Sequence, residues 1–151
     1  MPLTQLSPLR AYLLAKPGTT EELPFGPDAL VFKVLGKMFA LVAWQATPLS
    51  ISLKCDPNLA LLLRDTYAAV TPGYHLSKKH WNTVILDGEV PEDEVEEMID
   101  ASYELVVRGL SKREQARLQV GNTVNARGKG ELNKGLPGVA ARLGKFGHDI
   151  G

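Results

Sequence analysis

A chain of 151 residues, 44% hydrophobic and 23% charged, is one domain's worth of sequence, with enough apolar surface to build a core without metal or disulfide. Seventeen basic residues balance seventeen acidic ones, which excludes a protein that is basic throughout. The single cysteine, Cys55, excludes an intramolecular disulfide and any multi-cysteine zinc site. No apolar run approaches the ~18 residues of a membrane span, and the first residues lack the basic and apolar regions of a signal peptide, so a cytoplasmic protein is expected.

The first helix is expected over residues 4–15. Leu6, Leu9, Leu13 and Leu14 form its apolar stripe, Thr4 or Ser7 can cap it, and Pro17-Gly18 stops it. Residues 19–54 read as strands. Thr19 to Leu23 is the first, followed by a turn at Pro24-Phe25-Gly26-Pro27. Leu30, Phe32 and Val34 alternate with Val31, Lys33 and Leu35. Leu35-Gly36 then turns into Met38–Trp44, apolar on both faces. Leu49, Ile51, Leu53 and Cys55 alternate with Ser50, Ser52 and Lys54, the pattern of a half-buried strand. That pattern makes Cys55 a buried structural thiol rather than a nucleophile.

Asp56-Pro57 is a helix start, with Asp as cap and Pro in the first turn. Leu59, Leu62, Leu63 and Tyr67 are its predicted buried stripe. Val70 to Tyr74 reads as extended around Pro72-Gly73, and Trp81 to Leu86 as a short strand closed by Asp87-Gly88. Pro91 opens the strongest helix. Glu92, Asp93 and Glu94 favour the positive end of its dipole, Val95, Met98, Ile99, Ser102 and Val106 line one face, and Gly109 ends it. Residues 112–151 carry eight of the fourteen glycines and few large apolar residues. They are expected to form a basic, mobile or loosely docked tail after a domain of residues 1–111, with room for a short helix over 138–143. The element order predicts an α+β fold: a twisted antiparallel sheet with helices packed on one face.

Charge is balanced only in the sum. Residues 1–28 carry −1, residues 29–86 carry +4, residues 87–107 carry −9 with no base, and residues 108–151 carry +6. A chain so divided can present a basic face at a neutral pI.

Several segments together resemble the MmcQ/YjbR family of small bacterial proteins. They are Leu23-Pro24-Phe25-Gly26-Pro27-Asp28, Val31-Phe32-Lys33-Val34, Gly36-Lys37-Met38-Phe39-Ala40 and Ser52-Leu53-Lys54-Cys55-Asp56-Pro57. Pro72-Gly73-Tyr74-His75, Lys78-Lys79-His80-Trp81-Asn82-Thr83 and Ser102-Tyr103-Glu104-Leu105-Val106-Val107 complete them. The likeness spans about residues 4–111. It implies a CyaY-like (frataxin-like) fold and DNA binding through paired wings of strands and loops. It implies no catalytic residues and no cofactor.

The residues suggest where DNA would be met. Lys33, Lys37 and Lys54 belong to the strands, and Lys33 and Lys54 fall on the polar side. Lys78 and Lys79 share a loop with His80, Trp81 and Asn82. Lysines neutralise phosphates, Trp81 can stack or fill a groove, and the Asn82 amide can read a base edge. The expected activity is weak, mostly phosphate-directed DNA binding. Lysines that merely solubilise a sheet face are the simpler account. The alternative function is a protein-interaction module that docks a partner through the acidic helix 91–107 or the basic tail. Glu92, Asp93, Glu96, Glu97 and Asp100 recur at helical spacing and could offer oxygens to a hard cation, but a solvated, dipole-favoured face is the simpler account and no metal site is expected. His75 and His80 match no metal spacing. No Walker loop, GxGxxG, HExxH or GxSxG motif occurs, so no enzyme is expected.

Overall fold

The computed structural model describes residues 2–23, 27–74 and 76–122. The elements in chain order are α1 (Leu6–Leu14), β1 (Thr19–Glu22), β2 (Leu30–Val34), β3 (Lys37–Ala43), β4 (Ser50–Lys54), α2 (Pro57–Thr66), β5 (Val70–Pro72), β6 (Trp81–Ile85), α3 (Glu92–Arg108) and α4 (Lys112–Asn122). The strands make one six-stranded sheet in the order β1-β2-β3-β4-β6-β5. Every neighbouring pair is antiparallel. The α+β sheet-and-helix architecture is the one expected from the element order.

Side-chain alternation divides the sheet into two faces. Leu30, Phe32, Val42, Ile51, Leu53 and Val84 point toward the helices and join Leu9, Leu13, Leu63, Val95, Ile99 and Val106 in one core. Phe39 meets Tyr103 of α3 edge to face, with ring centroids 5.3 Å apart. The register shifts between Phe32 and Lys33, so β3 bulges at Phe39. Tight packing at that bulge comes from α3: Ser102, fully buried, donates from Oγ to the Phe39 carbonyl at 2.6 Å.

Local chemistry sets the helix ends. The Asp56 carboxylate accepts from the N–H groups of Asn58 at 3.0 Å and Leu59 at 3.3 Å, the cap the sequence predicts. α1 instead begins after Gln5 with no side-chain cap, so neither Thr4 nor Ser7 fills that role. It is held to α3 by Tyr12, whose hydroxyl donates to Asp100 at 2.7 Å, and by a Lys16–Asp100 ion pair. In α2 the fully buried positions are Ala60 and Leu63, while Leu59 and Leu62 are half-buried. The Ala60 carbonyl accepts from Asn82 Nδ2 of β6 at 3.3 Å, which seats this small residue against the sheet.

Two further features depart from the expected pattern. Residues 112–122, the start of the expected mobile or loosely docked tail, form α4, and Leu118 is 7% exposed within the core. Its Cδ2 lies 2.6 Å from where a Gly18 Cβ would stand. The start signal is a capping box. Ser111 Oγ accepts from the Glu114 N–H at 3.1 Å, and the Glu114 carboxylate accepts from the Ser111 N–H at 3.1 Å. Glu97 is the second. It is 6% exposed, not part of a solvated acidic face, because its position on α3 turns it toward α2. The turn at 24–26, His75 and the possible helix over 138–143 lie outside the described residues.

Candidate functional site

Antiparallel pairing decides which ends of the strands meet. The C-terminal end of β2, the N-terminal end of β3, the C-terminal end of β4 and the N-terminal end of β6 all lie at one end of the sheet. There Lys33 pairs with Met38, Val34 with Lys37, and Lys54 with Trp81. The ladder continues one step further through the Cys55 N–H, which donates to the His80 carbonyl at 2.8 Å. The β5–β6 loop, with Lys78, Lys79 and His80, therefore opens at the same end. Residues from four separate stretches of sequence converge there. Lys33 and Lys54 are two strands apart, roughly 10 Å across the sheet.

The helices add more base at this end. Ser102 and Tyr103 of α3 bond to Lys54 and Pro17 there, so Arg108 projects past the last row of the sheet. α4 sits against Gly18 and carries Lys112, Arg113 and Arg117, all exposed. The acids at this end include Asp56 and Glu114, both committed to capping, and the exposed Glu104.

The opposite end is acidic. Asp87 and Glu89 follow β6, and the Glu89 carboxylate accepts from the N–H groups of Ala68 and Ala69 at 3.2 and 2.6 Å. α3 starts from this end with Glu92 and Asp93, while Glu94 and Glu97 line a cleft that also takes in Lys54. Crowding among the acids of α3 is real: Glu96 is held above the ordinary carboxylate range, first by burial and then by Glu92, Asp100 and Asp93. The charge segregation along the sequence thus becomes segregation along the strand direction.

The individual candidates fare differently. Lys37, Lys79 and His80 are exposed. Lys33 is half-buried on the face away from the helices and pairs with Glu22 at 3.2 Å, an exposed pair of little energetic weight. Lys54 shares that open face. Lys78 is exposed, and its Nζ donates to the Gly73 carbonyl at 3.2 Å, closing its own loop. Trp81 is half-buried on the open face beside Lys54.

Asn82, expected beside them, turns to the opposite face. It pairs with Leu53 on the helix side and is 3% exposed. Its Nδ2 donates to the Ala60 carbonyl at 3.3 Å, and its Oδ1 accepts from Arg64 Nε at 2.7 Å. One residue along a strand reverses the face, so Asn82 turns inward between two outward neighbours.

Sequence reasoning counted Arg64 only as a charge. Its guanidinium also donates to the carbonyls of Lys78 and, at 3.3 Å, Trp81, so it pins the loop that carries the candidate contacts. The available signal was spacing: Arg64 lies four residues after Ala60, on the buried side of α2.

Between α2 and α3 lies a cleft with about 30 Å³ of free space, enough for about two waters. Leu53, Cys55, Leu59, Leu63 and Met98 line it with Glu97. Cys55 is partly rather than fully buried, and burial pushes its thiol up to about 12, with Asp56 adding to the shift. It is an inert thiol at neutral pH. Among the described residues, no three His, Cys, Asp or Glu side chains gather as a metal site, and no helix is long and apolar enough to cross a membrane.

Comparison with known proteins agrees with this architecture. The YjbR family model matches residues 14–105. The chain is 43% identical over 98 residues to YbdF of Escherichia coli O157:H7, covering 65% of this chain and 80% of that protein. It is 37% identical over 113 residues to YjbR of Escherichia coli K12, covering 75% and 96%. Both relatives are described as uncharacterised. The crystal structure of Deinococcus radiodurans DR2400, which carries the domain DUF419, superposes with a TM-score of 0.74 at 41% identity, covering 79% of this chain and 91% of that one. A Pseudomonas syringae structure superposes with a TM-score of 0.58 at 28% identity, covering 66% and 96%.

Proposed function

The chain belongs to the YjbR family, and from that premise we propose that it binds nucleic acid weakly through the phosphates, at the basic end of its sheet. The observation that carries this reading is the convergence of Lys33, Lys37, Lys54, Lys78 and Lys79 at one end, with the acids of α3 starting from the other. An evenly mixed surface would repel a polyanion about as much as attract it. A polarised one orients the approach and holds the strand near its bases. The interface is formed by Lys37, Lys54, Lys78 and Lys79, flanked by His80 and Trp81, with α4 as a basic wall. Lys33 contributes less, because Glu22 shares its charge.

Phosphate-directed binding has a clear salt signature. Each neutralised phosphate on a duplex adds about 0.9 to the slope of log affinity against log salt. Fluorescence anisotropy of a labelled duplex, titrated with the full chain between about 50 and about 200 mM salt, reads that slope. Binding with a slope of several units is expected. Reversing Lys54 and Lys79 together (Lys54→Glu, Lys79→Glu) lowers the slope by about two units. Unchanged affinity in that variant, or no binding at the lower salt, overturns the reading.

A further inference from the structure

Two aromatic residues, Tyr74 and Trp81, lie at this end beside the lysines. Trp81 is the strand partner of Lys54. Among the described residues, neither the core nor the partly buried hydrophobics packed on it include Trp81. Tyr74 is 71% exposed, the most exposed large side chain among the hydrophobic residues described.

The backbone ties these two together. The Gly73 N–H donates to the Trp81 carbonyl at 2.8 Å. A Cβ at Gly73 would stand 2.7 Å from the Trp81 Cβ, so only glycine lets the chain pass this close. The next residue then steps onto the open face. The Tyr74 N–H donates to Thr83 Oγ1 at 3.1 Å, and that oxygen shares a 2.7 Å hydrogen bond with Ser52 Oγ. Ser52, Thr83, Lys54 and Trp81 all belong to the face away from the helices. Arg64 holds the other arm of the same loop through the Lys78 and Trp81 carbonyls. The backbones of Tyr74 and Trp81 are thus tied together through Gly73 and Thr83, at the end of the sheet that carries Lys54, Lys78 and Lys79.

We infer that the preferred ligand is single-stranded nucleic acid, with bases stacked on Tyr74 and Trp81 and phosphates met by the lysines. The inference rests on the nucleic-acid reading above and narrows it to one class of ligand. A duplex keeps its bases stacked on one another and offers such rings only its rim. A single strand offers one π face per nucleotide, and stacking of this kind tolerates any base. Reading a duplex groove needs side-chain donors and acceptors aimed outward. Asn82, the amide on β6, is committed inward to Ala60 and Arg64.

The test compares four probes of about 15 nucleotides against the full chain at one salt concentration. They are a thymidine strand, a uridine strand, an abasic strand of equal charge and a duplex. A base-bearing strand is expected to bind about tenfold more tightly than the abasic one, on deoxyribose or ribose. Tyr74→Ala should remove most of that gap and leave abasic affinity unchanged, and Tyr74→Phe should restore it. In a Trp44→Phe background, the remaining Trp81 emission should quench with the base-bearing strand and not with the abasic one. Equal affinity for base-bearing and abasic strands overturns the stacking inference while phosphate binding stands. A duplex bound more tightly than either strand, with no effect of Tyr74→Ala, does the same. If none of the four probes binds, both readings fall.

Discussion

The Ser102 hydroxyl accepts a 2.9 Å hydrogen bond from the Lys54 N–H and, in the same position, donates to the Phe39 carbonyl. β3 and β4 stop pairing at Ala40 and Leu53. One step further the bulge draws the strands apart, leaving a buried donor and a buried acceptor facing each other. A single hydroxyl from α3 satisfies both, and so joins the long helix to the strand end that carries Lys54.

Removing that hydroxyl exposes the cost of the gap. Ser102→Ala takes the shared partner from two backbone polar groups, at about 1–3 kcal/mol for each. A lower urea midpoint with an unchanged m-value is the expected result. A midpoint equal to that of the parent chain would show that the groups find other partners.

Arg64 offers a separate test of geometry against charge. Its three acceptors, Asn82, Lys78 and Trp81, are arranged for a planar fork. Lysine keeps the charge and loses the fork. Arg64→Lys and Arg64→Ala should therefore loosen residues 78–82 alike, seen as faster amide exchange there, and each should cost about 1.5–3 kcal/mol of stability. Rescue by lysine would mean that charge alone matters.

α4 should behave as part of the domain. Leu118 packs on Gly18 and is buried in the core, so Leu118→Ala should cost about 2 kcal/mol and release α4 first. Ending the chain at residue 111 should do at least as much harm. The measurement is thermal unfolding of both variants; identical curves for the truncated and full chains would place α4 outside the cooperative unit.

Alkaline pH provides a test through Cys55. The folded chain holds this thiol's proton up to about 12, whereas an exposed thiol loses it near 9.0. Unfolding in that window releases a proton, so stability falls as pH rises, by up to about 1.4 kcal/mol per pH unit. Tyr103 is pushed the same way, also to about 12, mainly by burial. Cys55→Ala removes only the thiol's share. The stability gap between the two chains should be constant below about pH 8 and shift toward the variant above it. A gap that stays constant to high pH contradicts the assignment.

Much of the chain's organisation was legible as pattern. Strand alternation, the Asp56-Pro57 start and the Gly109 stop are local events, set by residues within a few positions of one another, and they are where the sequence puts them. The α+β class followed from element order, because hairpin-length links force neighbouring strands to pair antiparallel. Charge segregation was equally plain from counting. Its direction was not. Lys37 and Lys79 are far apart in sequence, and only the order β2-β3-β4-β6 brings their strand ends to one side of the molecule. Asn82 shows the limit most sharply. Its neighbours Trp81 and Thr83 face outward while it turns in, because a pleated strand inverts direction at every residue and the register of the whole sheet decides which parity meets the helices. α4 was missed for a related reason. A polar helix with one buried leucine has no stripe to read, and it is held by the space that Gly18, lacking a Cβ, leaves for Leu118. Pattern specifies an element through its neighbours in sequence; a site is specified by neighbours in space, which long-range pairing alone creates.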